Sequence, residues 1–138
     1  MKFLLPVTCL AVGAMAQGIA VGHPAPGSTL HTGKNVVVQV IRYNFIQSAT
    51  EVGVAIGLVP CPNSSCPAPE GIIGDVLHTG PYNPQFHGPG QQYQNFTVQV
   101  PEGFPAGPAA INVARFFLIG AGSSPTIGGA SVSVNIKD

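Results

Sequence analysis

The chain has 138 residues, five Lys and Arg against five Asp and Glu, and no net charge at pH 7. Charged residues make up 7% of it, far below the ~25% of an ordinary soluble domain, so long-range attraction to a polyanion has no source. Nucleic acid and anionic membrane surfaces are therefore not expected partners, and solubility falls to Ser, Thr, Asn and Gln.

Residues 1–16 read as an export signal: Lys2 supplies a positive start, Phe3 to Ala16 is apolar, and Ala14-Met15-Ala16 ends the run with small residues, so cleavage is expected before Gln17. The run is shorter than the ~20 apolar residues that span a bilayer, and no membrane anchor is expected. Residues 17–138 then form a single domain of ordinary size. Its seven expected strands begin with Ile19 to Gly22, followed by Asn35 to Tyr43, where Val36, Val38 and Val40 share one face. In Glu51 to Val59 the set Val52, Val54, Ile56 and Leu58 faces a core, while Gly53, Ala55 and Gly57 leave a bare face for close packing of a loop or neighbouring backbone. A weaker strand is expected over Ile72 to Leu77. Gln94 to Val100 follows, with Phe96, Val98 and Val100 inward.

After a Pro/Gly corner, Ala109 to Leu118 changes parity between Ile111/Val113 and Phe116/Leu118, which predicts a bulge or bend near Arg115. The last strand, Ala130 to Ile136, alternates Val132, Val134 and Ile136 against Ser131, Ser133 and Asn135. Short strands at this spacing predict an all-β fold, an immunoglobulin-like or fibronectin-like antiparallel sandwich of about seven strands, with a small barrel as the alternative. The Pro/Gly-rich loops 60–71 and 79–92 are the expected places for disorder.

Cys9 leaves with the signal, and Cys61 and Cys66 form a close pair in an exported chain, so a Cys61–Cys66 disulfide is expected, contributing about 2 kcal/mol by loop closure. Two sequons, Asn63-Ser64-Ser65 and Asn95-Phe96-Thr97, make Asn63 and Asn95 the candidate N-glycosylation sites. No Gly-x-Ser-x-Gly elbow, free cysteine or converging acid pair argues for catalysis, so the chain is expected not to be an enzyme and to carry no cofactor. His23, His31, His78 and His87 read as loop histidines; a copper site using His23 with His78 or His87 is the minor alternative. Tyr82, Phe86, His87 and Tyr93 gather among Pro, Gly, Asn and Gln and are the candidate partner-binding residues, rigid aromatics amid adaptable amides. A wall-polysaccharide platform on Tyr82, Phe86 and Tyr93 is the alternative, weakened by the lack of Trp. Arg42 and Arg115, both within strands, are expected to snorkel to solvent.

Tyr43-Asn44-Phe45-Ile46-Gln47-Ser48 leading into Glu51-Val52-Gly53-Val54-Ala55-Ile56-Gly57, and Leu118-Ile119-Gly120-Ala121-Gly122-Ser123-Ser124-Pro125-Thr126 leading into Val132-Ser133-Val134-Asn135-Ile136, resemble the necrosis-inducing secreted protein family of fungal core effectors. The corner from Phe96-Thr97-Val98-Gln99-Val100-Pro101 to Ala106-Gly107 adds to the likeness. The resemblance implies a virulence protein of a plant-associated fungus, secreted to the extracellular space, with the host cell after delivery as a second expected location. It further implies binding and inhibition of host receptor-associated protein kinases, suppression of pattern-triggered immunity, and a capacity to induce necrosis. A monomer is expected. The family brings no residue-level motif, so the candidate residues rest on local chemistry.

Overall fold

The computed structural model describes residues 18–44 and 48–138. The expected export signal, residues 1–16, lies outside the described residues, as do Phe45, Ile46 and Gln47. Among the described residues eight strands occur: β1 (Ile19–His23), β2 (Ser28–His31), β3 (Asn35–Arg42), β4 (Ala49–Pro60), β5 (Asp75–Gly80), β6 (Gln92–Gln99), β7 (Gly107–Ile119) and β8 (Ser124–Lys137). They form a three-stranded sheet in the order β1-β3-β6 and a five-stranded sheet in the order β2-β8-β7-β4-β5. The fold is a β-sandwich.

Period-two burial closes it. Val38 and Val40 of β3 with Phe96 and Val98 of β6 point from one sheet into Val54, Ile56, Leu58, Ile111, Val113, Val132, Val134 and Ile136 of the other. Each is flanked along its strand by residues of the opposite face, so the alternation predicted for β3, β6 and β8 is the alternation observed. Phe104, in the corner between β6 and β7, is buried against the same core.

Four details differ from the sequence reading. The strand β2 was not expected, and it pairs parallel with β8, Leu30 opposite Ile136, so the sandwich is not wholly antiparallel. Four residues between turns carry too little periodicity to announce a strand; their partner lies about a hundred residues away. The expected strand at Ile72 to Leu77 is displaced to β5, because Ile72 and Ile73 belong to a covering loop. β8 begins at Ser124, six residues early, since the β7–β8 hairpin runs without interruption from Gly107 opposite Ile136 to Ile119 opposite Ser124. Pairing holds Gly128 and Gly129 in a strand that their propensity disfavours.

The same unbroken register removes the bulge expected in β7. The irregularity lies on the facing strand, where Glu51 pairs with Phe117 and Gly53 with Phe116, leaving Val52 as the extra residue. A one-residue insertion reverses parity beyond it. Val52, expected inward, is 59% exposed, and Glu51 takes the inward direction.

The bare face of β4 is used as anticipated. Segment 61–74 lies across the outer surface of the five-stranded sheet, and a Cβ on Gly57 would stand 2.2 Å from the Ile73 carbonyl oxygen. A Cβ on Gly129 would come within 2.8 Å of the Glu70 carboxyl group. Asn112, fully buried on the outer face of β7, fastens the segment: its Nδ2 donates to the carbonyls of Ile72 at 2.8 Å and Pro67 at 3.2 Å, and its Oδ1 accepts from the Ser131 hydroxyl at 2.7 Å. Cys61 and Cys66 are bridged, with Cα atoms 4.5 Å apart. The loop expected to be disordered is thus a strap held by a disulfide, small residues and a buried amide.

Replacing Asn112 with Ala removes all three hydrogen bonds and leaves their partners to find water. The expected loss is about 2–3 kcal/mol, at least as large as that of the Cys61→Ser/Cys66→Ser pair, and urea unfolding of both variants checks the order.

Candidate functional site

The aromatic loop between β5 and β6 divides into an anchor and a display. Tyr82 is the anchor: it is 4% exposed, its hydroxyl donates to the Val40 carbonyl at 3.1 Å, and its ring lies 6.4 Å from that of Phe96. Burial pushes the phenol pKa well above the ordinary value; the Glu51 carboxylate adds to the rise, and Arg115 and Arg42 oppose it. Tyr82 therefore plugs the sandwich end and is withdrawn from the partner-binding set. Phe86, by contrast, is 58% exposed.

His87 is exposed and Tyr93 half-buried. Their rings stack with centroids 3.9 Å apart and planes 17° from parallel. Gln85 and Tyr93 exchange backbone hydrogen bonds at 3.1 and 3.0 Å. The Asn83 N–H donates to the Gln94 side-chain carbonyl at 2.7 Å, Gln85 Nε2 donates to Asn83 Oδ1 at 2.8 Å, and the Asn44 N–H donates to Gln91 Oε1 at 2.8 Å. These amides stiffen the loop, so Phe86 and the His87–Tyr93 stack are presented in fixed positions. A polysaccharide platform of three exposed rings is not what results, because Tyr82 is internal and one face of Tyr93 is covered by His87.

Sequence reasoning missed a second constellation. Arg115 is fully buried rather than snorkelling. Its Nε donates to Glu51 Oε2 at 2.8 Å and its Nη2 to Glu51 Oε1, while its guanidinium carbon sits 3.8 Å from the centre of the Phe117 ring. Arg42 approaches the same carboxylate at 3.5 Å and donates to Gln92 Oε1 at 3.4 Å. Since Arg42 and Gln92 belong to one sheet and Glu51 and Arg115 to the other, the group clasps the two sheets. The available signal was the pairing of a strand-interior Arg with the parity change beside it.

Outside the clasp the bulge shapes the surface. Val52, Phe116 and Ile127 project from the outer face of the five-stranded sheet, Phe116 directly opposite Ile127. With Leu118, Pro125 and Thr126 they border a shallow, largely apolar hollow of about 360 Å³. Large apolar side chains exposed together at one place are the usual mark of an interaction surface.

The histidines are spread over the molecule. His23 and His31 are exposed, His87 is in its stack, and His78 faces inward with its ring 4.8 Å from that of Phe96. Among the described residues no three His, Cys, Asp or Glu side chains gather in a group that could hold a metal ion. Both sequon asparagines, Asn63 and Asn95, are exposed.

The family model described as the Nis1 family matches residues 14–135. Necrosis-inducing secreted protein 1 of Colletotrichum orbiculare is 26% identical over 138 residues, covering 99% of this chain and 81% of that protein. Among solved structures, a cellulose-active polysaccharide monooxygenase from M. thermophila aligns with a TM-score of 0.48 and 10% identity over 83% of this chain and 55% of that one. A likeness of that size has no bearing on function.

Two outcomes follow from the buried groups. Glu51→Gln leaves the Arg115 guanidinium buried without its counter-charge and is expected to cost about 3–5 kcal/mol, measured as a fall in the urea midpoint at constant slope. For Tyr82 the folded form holds its proton more tightly than the unfolded form, whose phenol ionises near 10.0. Its contribution is therefore complete below that pH and is lost as pH rises beyond it. Tyr82→Phe is expected to flatten the alkaline decline in stability, read from melting temperatures between neutral pH and pH 11.

Proposed function

Since the chain belongs to the Nis1 family, we propose that it is a secreted protein acting by binding rather than turnover, with receptor-associated protein kinases of a plant host as its targets. Likeness over nearly the whole chain to a relative named for its secretion and for inducing necrosis supports the secreted, necrosis-linked part of this reading, and the kinase targets extend it. Inhibition of such kinases suppresses pattern-triggered immunity, and necrosis of host tissue is the accompanying effect. The protein acts as a monomer that leaves the fungus and engages its target after delivery into the host cell.

The physical features suit a binder. With 7% charged residues, association draws its free energy from apolar contact and hydrogen bonds rather than ion pairs. Fully burying a Val, Ile or Phe side chain contributes about 1.5–3 kcal/mol, so Val52, Phe116 and Ile127 together can supply the centre of a contact. Phe86 and the His87–Tyr93 stack offer a second, more polar contact from a loop already ordered, which lowers the entropic cost of docking.

The test is retention of the secreted protein, residues 17–138, on immobilised cytoplasmic domains of plant receptor-associated kinases. Binding at micromolar concentration is expected, with Phe116→Lys or Ile127→Lys weakening it roughly tenfold or more and Phe86→Ala weakening it less. No retention on any such kinase at that concentration rules the target class out.

A further inference from the structure

The two sequons differ in their structural setting. Asn63 lies between Cys61 and Cys66, and it and Ser64 have φ angles of 55° and 60°. Once the bridge closes, that sequon is a tight ring with two residues in the left-handed region, a poor shape for a segment that must enter an enzyme's acceptor groove. Asn95 lies in extended β6, with Asn95 and Thr97 exposed and Phe96 between them buried in the core. A substituent on Asn95 therefore needs no change in the fold.

The backbone at Asn95 adds a second observation. β6 is the terminal strand of its sheet. Tyr93 exchanges both backbone hydrogen bonds with Gln85, away from β3, whereas the Val100 N–H donates to Lys34 on the β3 side. Backbone direction alternates along an antiparallel ladder, so Asn95 and Thr97 point their N–H and C=O groups to the same side as Tyr93. Among the described residues, pairing on that side stops at the Gln85–Tyr93 bridge. The two residues that define the sequon thus also carry the open hydrogen-bonding edge, the part of a sheet most prone to pairing with another chain. The composition lacks the usual safeguard, since no Lys, Arg, Asp or Glu occurs in β6.

We propose that Asn95 carries an N-linked oligosaccharide and that this sugar guards the β6 edge against pairing between copies of the chain. In its attachment the Asn95 side-chain nitrogen bonds to the anomeric carbon of a lipid pyrophosphate-linked oligosaccharide. The anomeric C–O bond breaks, the lipid pyrophosphate leaves with the electron pair, and the amide gives up one proton. Thr97 supplies the hydroxyl required two residues on.

The experiment expresses the full chain in a fungal secretory host and compares intact masses before and after endoglycosidase treatment. One glycan is expected on the wild type, retained in Asn63→Gln and absent from Asn95→Gln and Thr97→Ala; an unglycosylated wild type, or a glycan retained in Asn95→Gln, overturns the assignment. Light scattering behind size-exclusion chromatography tests the guarding role on Asn95→Gln, or on endoglycosidase-trimmed wild type if that variant is not secreted. The glycosylated protein and Asn95→Lys, which puts a charge on the edge instead of a sugar, are expected to stay monomeric. The unglycosylated form is expected to associate as concentration rises by about tenfold, with an unchanged circular-dichroism spectrum. A sugar-free form that stays monomeric over that range overturns the guard.

Discussion

A guanidinium with no exposed surface is the constraint around which one end of this sandwich is built. Removing Arg115 from water is costly unless a carboxylate meets it with good geometry, and the only acidic residue on the neighbouring strand is Glu51. Strict alternation from Val54, Ile56 and Leu58 would turn Glu51 outward. The insertion at Val52 reverses the parity and brings the carboxylate inside. Its by-product is an exposed valine beside Phe116 and Ile127, so the apolar hollow on the outer face is a consequence of neutralising a buried charge. Electrostatics, backbone irregularity and surface chemistry form one chain of cause at this place.

Further along the same two strands, packing takes over from charge. β7 is buried on both faces over Ala109 to Arg115: its odd residues enter the sandwich, and Ala110 and Asn112 are covered by the strap. A strand covered twice shows no simple alternation, and its apolar run therefore changes phase in the sequence. Gly57 and Gly129 are small because the strap crosses them, and the disulfide shortens a path that the buried amide then fixes. The strap therefore adds a third layer over part of a two-sheet domain whose length alone supports a modest core.

What could be read from the sequence was what short-range periodicity encodes. β3, β6 and the second half of β8 face one core and one solvent layer, so their side chains state their own directions, as the exposed Asn95 and Thr97 beside the buried Phe96 illustrate. The bare side of β4 also announced a close neighbour, though not which one. β2 is a strand because of a remote partner and the first half of β8 because the hairpin pairs it with β7, and no local pattern marks either. In the aromatic loop, Tyr82 and Phe86 are both flanked by Pro, Asn and Gln; only the location of the Val40 carbonyl decides which ring enters the core. Arg115 was misread because exposure is the ordinary fate of arginine, and the acid that holds it inside faces it only through the bulge. The disulfide, the sequons and the family likeness were legible because they rest on residue identity, which folding does not rearrange.

The division of the surface follows from the same economy of charge. Strand edges are commonly kept apart by lysines and acids, and a chain with ten charged residues in 138 has few to place there. The outer face of the five-stranded sheet is partly closed by the strap, and the upper part of the β6 edge is occupied by the loop carrying Tyr82, through the Gln85–Tyr93 bridge. Open among the described residues are the apolar hollow at the bulge, the ordered aromatics of residues 86–93, and the β6 edge beyond Tyr93. The first two are shaped by side chains and can discriminate between partners; the third is backbone and accepts any extended chain. Selective binding by a nearly uncharged protein therefore depends on keeping that backbone edge out of reach while leaving the side-chain surfaces exposed.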